Sequence, residues 1–223
     1  MDAVVKVGGS LAETPEILRA MCKTLSQLGE EHRLLVVPGG GEFADLVRDM
    51  DRRYSLHPVT AHRMAILGMD QYGFLLSELI PNSRRAKNIS ETKEISKSHK
   101  TAILLPSRLM LEDDTLEASW DVTSDSVAAH IADKVRAQKL ILTTNVDGLF
   151  AFDPTTNATA DLVEAVAASE LLKRDLRTCV DKFLPTVLLK TNLTCYVVNG
   201  IHPDRIEKIL ANEPTICTQI LRK

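Results

Sequence analysis

Cysteine is sparse in this chain and never clustered: Cys22, Cys179, Cys195 and Cys217 are scattered over 223 residues with no CxxC spacing among them. A disulfide framework or a structural zinc site needs grouped thiols, so reduced cysteines in a cytoplasm are the expectation. Basic blocks are also missing. Lys and Arg number 27 against 30 Asp and Glu, a formal net charge of −3, which argues against nucleic acid as the main partner. No apolar run is long enough to span a bilayer, and the sequence starts almost directly on a strand, so neither a membrane nor a secretory signal is expected. There is no GxGxxG after the first strand, which disfavours a dinucleotide-dependent oxidoreductase. No Ser-His-Asp or Cys-His arrangement stands out either.

What is present is a regular alternation. Hydrophobic residues make up 44%, enough for a substantial core. Short strand-like apolar runs fall near 3–7, 33–37, 101–105, 139–143, 194–198 and 215–220. Helical periodicity covers roughly 14–29, 42–53, 58–79, 124–137, 162–174, 180–190 and 203–211. Such alternation predicts an α/β fold, a mainly parallel sheet covered on both faces, in one domain over 1–223. Residues 82–100 are the most polar stretch, read as a solvated helix and loop or as a lid. Residues 151–160 read as a surface loop around Asp153-Pro154.

Two glycine turns, each fed by an apolar strand, are the most informative feature. The first is Val4-Val5-Lys6-Val7-Gly8-Gly9-Ser10 and the second is Leu34-Leu35-Val36-Val37-Pro38-Gly39-Gly40-Gly41. Freed backbone amides at such turns, with the positive end of the following helix, form a concave anion site. Three successive glycines exceed what one tight turn needs, which points to a phosphate or substrate cradle. Lys6 lies inside an apolar strand, where an ammonium is costly unless it has a partner, and beside a glycine turn it can neutralise charge on a transferring phosphoryl group. Two further segments carry polar groups at element ends. Thr123-Ser124-Asp125 opens a helix, where Asp125 is either a first-turn acid or a functional one. Thr143-Thr144-Asn145-Val146-Asp147-Gly148-Leu149-Phe150 opens from a buried strand into a turn, at the end where open α/β sheets bind ligands.

In this order, the four segments resemble the amino acid kinase family over essentially the whole chain. The resemblance implies a three-layer α/β/α sandwich with an acceptor half at about 1–115 and a nucleotide half at about 116–223. It implies ATP and Mg2+ as cofactors, a small-molecule phosphate substrate and a homo-oligomer. By residue, it implies that Lys6 bridges donor and acceptor phosphates and that Asp125 orients Lys6. Gly8, Gly9 and Ser10 would contact ATP phosphates, and Thr143, Thr144, Asp147, Leu149 and Phe150 would line the nucleotide site. Gly39, Gly40 and Gly41 would hold the acceptor. The strings Ser119–Ser126, Ile103–Ser107 and Tyr196–Gly200 resemble one small branch of the family, which serves methanofuran biosynthesis and converts a phosphate monoester to a diphosphate. The glycine turns alone leave isopentenyl phosphate, UMP or an amino acid carboxylate open as acceptors, and a nucleotide-binding regulatory protein without turnover as well. One departure stands out: where many members carry a second phosphate-binding lysine, Lys182-Phe183-Leu184-Pro185-Thr186 has threonine, leaving Lys182 or Lys190 as substitutes. For the acceptor pocket the candidates are His57, His62 and Arg63 as cations and Asp70 as the carboxylate for an amine.

Overall fold

The structure, a computed structural model, describes residues 1–113, 115–151, 161–173 and 179–222. Its strands are β1 (Ala3–Val7), β2 (Leu34–Pro38), β3 (Ser83–Ala86), β4 (Thr101–Leu104), β5 (Lys139–Thr144), β6 (Ala165–Ala167), β7 (Thr194–Asn199) and β8 (Thr218–Leu221). They form one sheet in the order β3-β4-β2-β1-β5-β7-β8-β6. Every pairing is parallel except β7 with β8, so β8 and β6 run against the rest. β1 is central, with Lys6 in register between Val37 of β2 and Leu142 of β5.

The helices are α1 (Pro15–Glu31), α2 (Gly41–Tyr54), α3 (Pro58–Leu79), α4 (Ile89–Lys97), α5 (Ser107–Glu112), α6 (Ser124–Lys134), α7 (Ala168–Leu171), α8 (Leu184–Leu189) and α9 (Asp204–Ala211), with a 3-10 turn over Gly9–Glu13. Local sequence sets several of their starts. Pro15 and Pro58 occupy first-turn positions where a missing N–H costs nothing. Asn88 accepts from Glu91 N–H at 2.9 Å while the Glu91 carboxylate accepts from Lys87 N–H at 2.8 Å, a reciprocal cap that starts α4.

Two cores sandwich the sheet. Val4, Leu35, Val37, Leu140, Leu142 and Val197 pack with α6 and α8 on one face. Ala3, Val5, Val7, Leu34, Val36 and Ile141 pack with α1 and α9 on the other. Alternation along β1 therefore points Lys6 to the same side as Val4, toward α6. The doubly covered, mainly parallel sheet matches the expected fold class.

Several elements differ from expectation. The polar stretch 82–100 is edge strand β3 followed by α4, not a lid: Arg84 and Arg85 are exposed on β3, where charge protects a sheet edge. The anticipated helix over 162–174 is strand β6 and the single turn α7, because Ala165–Ala167 pair with Gln219–Leu221. The helix anticipated over 180–190 shortens to α8, the one over 124–137 ends at Lys134, and the strand anticipated over 215–220 is β8. Of the loop 151–160, all but Ala151 lies outside the described residues. Among the described residues, no helix is long and apolar enough to cross a membrane.

Candidate functional site

Parallel neighbours β1 and β2 deliver their glycine turns side by side at the carboxyl edge of the sheet. A Cβ on Gly9 would lie 2.2 Å from Gly41 Cα, so the turns touch backbone to backbone. Gly39 N–H donates to Val7 O at 2.9 Å and Gly8 N–H donates to the Thr143 hydroxyl at 3.3 Å. This corrects the sequence argument: contact between the turns already calls for glycines, and the amides of Gly8 and Gly39 are taken up inside the protein. The groups that face the adjoining cavity are Gly9, Ser10, Gly40 and Gly41. Neither the 3-10 turn nor α2 has a side-chain cap, which leaves their first-turn N–H groups without a capping side chain.

Lys6 and Asp125, 119 positions apart in sequence, meet at 2.7 Å (Nζ to Oδ1) with side chains only 8% and 7% exposed. Lys6 Nζ also lies 3.5 Å from Thr143 O. Sequence reasoning missed the group that fixes this pair. Asp181 N–H donates to Asp125 Oδ2 at 3.1 Å. The Asp181 carboxylate accepts from the N–H and hydroxyl groups of both Thr123 and Ser126, then from Phe183 N–H and Leu184 N–H, all within 3.1 Å. It thus caps α6, which lacks a cap from Thr123 itself, and α8 together. Burial and the Asp125 charge push the Asp181 carboxyl above its ordinary value, against the pull of those hydrogen bonds. An acid three residues before a helix whose second residue is proline was a readable cap signal for α8, but nothing local pointed to α6.

Beside the turns is a solvent-open cavity of about 250 Å³, lined by α2, α3 and the segment that leads into and begins α6. His62 lines it, and burial lowers its pKa, disfavouring the charged imidazolium. The other acceptor candidates are placed elsewhere. His57 Nδ1 accepts from Val59 N–H at 3.3 Å and caps α3. Arg63 is exposed. Asp70 accepts from Ser107 N–H at 3.0 Å and from the Ser107 hydroxyl at 2.5 Å, so it anchors the start of α5. Glu13 and Glu42 line the cavity with no ion-pair partner among the described residues, whereas Asp45 is paired with Arg48 at 2.6 Å.

Residues 1–199 match the model of the amino acid kinase family. The chain belongs to that family. A relative from Methanocaldococcus jannaschii, the (5-(aminomethyl)furan-3-yl)methyl phosphate kinase, is 33% identical over 220 residues, covering 98% of this chain and 97% of its own. A uridylate kinase from Archaeoglobus fulgidus is 25% identical over 225 residues, covering 96% and 97%. Among solved structures, a uridylate kinase from Archaeoglobus fulgidus superposes with a TM-score of 0.78 at 23% identity, covering 99% of this chain and 100% of that one. UMP kinase from Ureaplasma parvum gives 0.75 at 16%, covering 98% and 97%. Their architecture is the amino acid kinase fold, and the family makes this chain a phosphotransferase of the small-molecule kinase type.

The segment expected at the nucleotide end of this kinase fold is mixed in character. Thr143 is fully buried, and its hydroxyl donates to Lys6 O at 2.9 Å, stitching β5 to β1. Thr144 is half-buried where β5 ends. Asp147 accepts from Arg205 at 2.5 Å and from Asn199 at 3.2 Å. Leu149 is core, 3% exposed, with its N–H donating to Thr218 at 2.8 Å. Phe150 bridges to Leu162. Neither substitute for the second family lysine is enclosed: Lys182 is 75% exposed and 3.8 Å from Asp121, and Lys190 is exposed at the end of α8. Half-buried Cys179 donates to Gly148 O, and burial pushes its thiol up to about 12, so it is no nucleophile at neutral pH.

Proposed function

We propose that this protein moves the γ-phosphoryl group of ATP onto a phosphate monoester, releasing ADP and a diphosphate, and that the acceptor is aminomethyl-furanmethyl phosphate. The observation that carries the proposal is the buried Lys6–Asp125 pair beside two touching glycine turns. On this reading an acceptor phosphate oxygen bonds to the γ-phosphorus while the bond to the β,γ-bridging oxygen breaks. Lys6 neutralises charge between the two, and Asp125 fixes its direction. An acceptor phosphate with a second pKa near 6 is largely dianionic at pH 7, so no base is required. The first-turn amides at Gly9, Ser10, Gly40 and Gly41 would hold phosphate oxygens. The nucleotide would occupy the half built from β5 onward, with Thr144, Asp147 and Phe150 at its edge. Mg2+ would enter with the nucleotide phosphates. When bound there, Mg2+ supplies further charge neutralisation.

Support for the organic part of the acceptor comes from the 33% identical relative and from the cavity charge. Arg48 is paired with Asp45 and burial disfavours the charged form of His62, while Glu13 and Glu42 have no ion-pair partner among the described residues. That balance favours an acceptor with a cationic amine at the end remote from its phosphate. UMP, the substrate named for the more distant uridylate kinase relatives, is the second reading. The test is incubation with Mg-ATP and aminomethyl-furanmethyl phosphate, UMP, isopentenyl phosphate or glutamate, with ADP and product masses recorded. The furan diphosphate is expected as the main product. ATP binding without ADP formation from any acceptor refutes the kinase assignment, and preferential formation of UDP replaces the furan acceptor.

A further inference from the structure

Trp120, the only tryptophan in the chain, lines the cavity and is held from two sides. Its indole N–H donates to Asp51 Oδ2 at 2.7 Å, and the Arg48 guanidinium lies over its ring, 4.9 Å from the centroid. Arg48 is in turn fixed by Asp45, and Asp51 Oδ1 accepts from Leu56 N–H at 3.0 Å. Both anchors belong to α2, whose first turn holds Gly41, whereas Trp120 precedes Asp125 by five residues on the segment that enters α6. The indole therefore has little rotameric freedom left to lose on binding. Apart from the His62 imidazole, the other residues around the cavity are aliphatic, polar or charged, so this indole is its one large aromatic surface among the described residues.

We propose that Trp120, stiffened by Asp51 and Arg48, is the specificity-determining residue that contacts a planar ring in the acceptor and disfavours acceptors with an aliphatic chain. The inference rests on the kinase reading for its chemistry but commits separately to the class of acceptor. A flat ring against an indole gains contact area and quadrupole complementarity that a flexible chain does not match. Pre-ordering of the indole means that this gain is not offset by ordering it at the moment of binding. A cavity of about 250 Å³ suits a single small ring.

The experiment uses the full chain and three probes: aminomethyl-furanmethyl phosphate, unsubstituted furanmethyl phosphate and isopentenyl phosphate. Emission from the single indole reports binding without turnover. Both ring phosphates are expected to quench it saturably and more tightly than isopentenyl phosphate. Trp120→Leu should raise KM for both ring acceptors about three- to tenfold, leaving KM for isopentenyl phosphate and ATP within about twofold. Trp120→Phe should keep the ring preference although it loses the bond to Asp51. Asp51→Ala removes one of the two anchors of the indole, and it should weaken the preference for ring over chain acceptors without abolishing it. Equal losses for ring and chain acceptors in Trp120→Leu, or absence of quenching by the ring phosphates, overturn the inference. Saturable quenching without ADP formation from any acceptor would instead sink the kinase assignment and leave the ring contact standing.

Discussion

An ammonium buried in the central strand of a sheet has to be matched, and the whole site can be argued from how Lys6 is matched. Asp125 supplies the charge, and Asp181 holds both Asp125 and the start of α6. Removing Lys6 should therefore do two things. It should lower kcat about 10²–10³-fold, the range for one positioned electrostatic donor, and it should leave Asp125 as an uncompensated buried charge. Lys6→Ala combined with Asp125→Asn separates the two effects: stability is expected to recover relative to Lys6→Ala while turnover stays low. Near-normal kcat in a folded Lys6→Ala protein removes Lys6 from its role. Asp181→Ala should behave differently, because six donors lose their acceptor at once. A loss on the order of 3 kcal/mol in urea unfolding is expected, with a fall in kcat as Asp125 loses its register. A variant that unfolds like the parent protein would show that other groups satisfy those donors.

At the scale of elements, the glycine turns show where sequence logic succeeds and where it needs correction. Gly9→Ala would place a Cβ 2.2 Å from Gly41 Cα and 2.3 Å from Gly41 N, so the two turns must separate. Gly41→Ala meets nothing closer than 3.5 Å and carries only the left-handed backbone penalty at φ +54°, roughly 1–2 kcal/mol. Turnover and Tm should both fall further in Gly9→Ala than in Gly41→Ala, and the reverse order would refute the backbone contact. The same contrast explains what was legible. Strands β1, β2, β5 and β7 lie inside a mainly parallel sheet and read as continuous apolar runs. β3 reads Ser-Arg-Arg-Ala and is an edge strand whose polarity hides its extended backbone. β6 is three residues long and looks helical in its surroundings until β8 pairs with it. Lys6 was legible because a cation contradicts its strand. The α6 role of Asp181 was not, since the donors it serves there lie 55 to 58 positions away. Nor was Trp120, whose wall on the cavity depends on α2 being folded beneath it.

Across the whole molecule, carboxylates tie together segments far apart in sequence, which sets the response to acid. Asp113 is held well below the usual carboxylate range: burial works to raise it, but hydrogen bonds from Lys134, Thr115 and His130 outweigh burial. Asp147 is lowered in the same way, burial opposing and the side chains of Arg205 and Asn199 prevailing. Asp2 is lowered through the N–H and guanidinium of Arg33, again against burial. In each case the folded state releases its proton more readily than the unfolded chain. Their stabilisation is therefore complete above the ordinary carboxylate pKa of about 4, and it fades as pH drops through the lower folded values. Asp181 has the opposite sign. Its raised value makes protonation favour the fold as pH falls through the window between that value and the ordinary one, a partial offset. Three lowered groups against one raised group give a net loss, so the urea midpoint should decrease from pH 5 to pH 3. Asp113→Asn should lower the midpoint at pH 5, and its gap to the parent protein should narrow toward pH 3 without closing, because folded Asp113 keeps its charge well below the ordinary carboxylate value. A midpoint that stays level or rises between those pH values would mean that the raised carboxyl at the catalytic end outweighs the surface-side pairs.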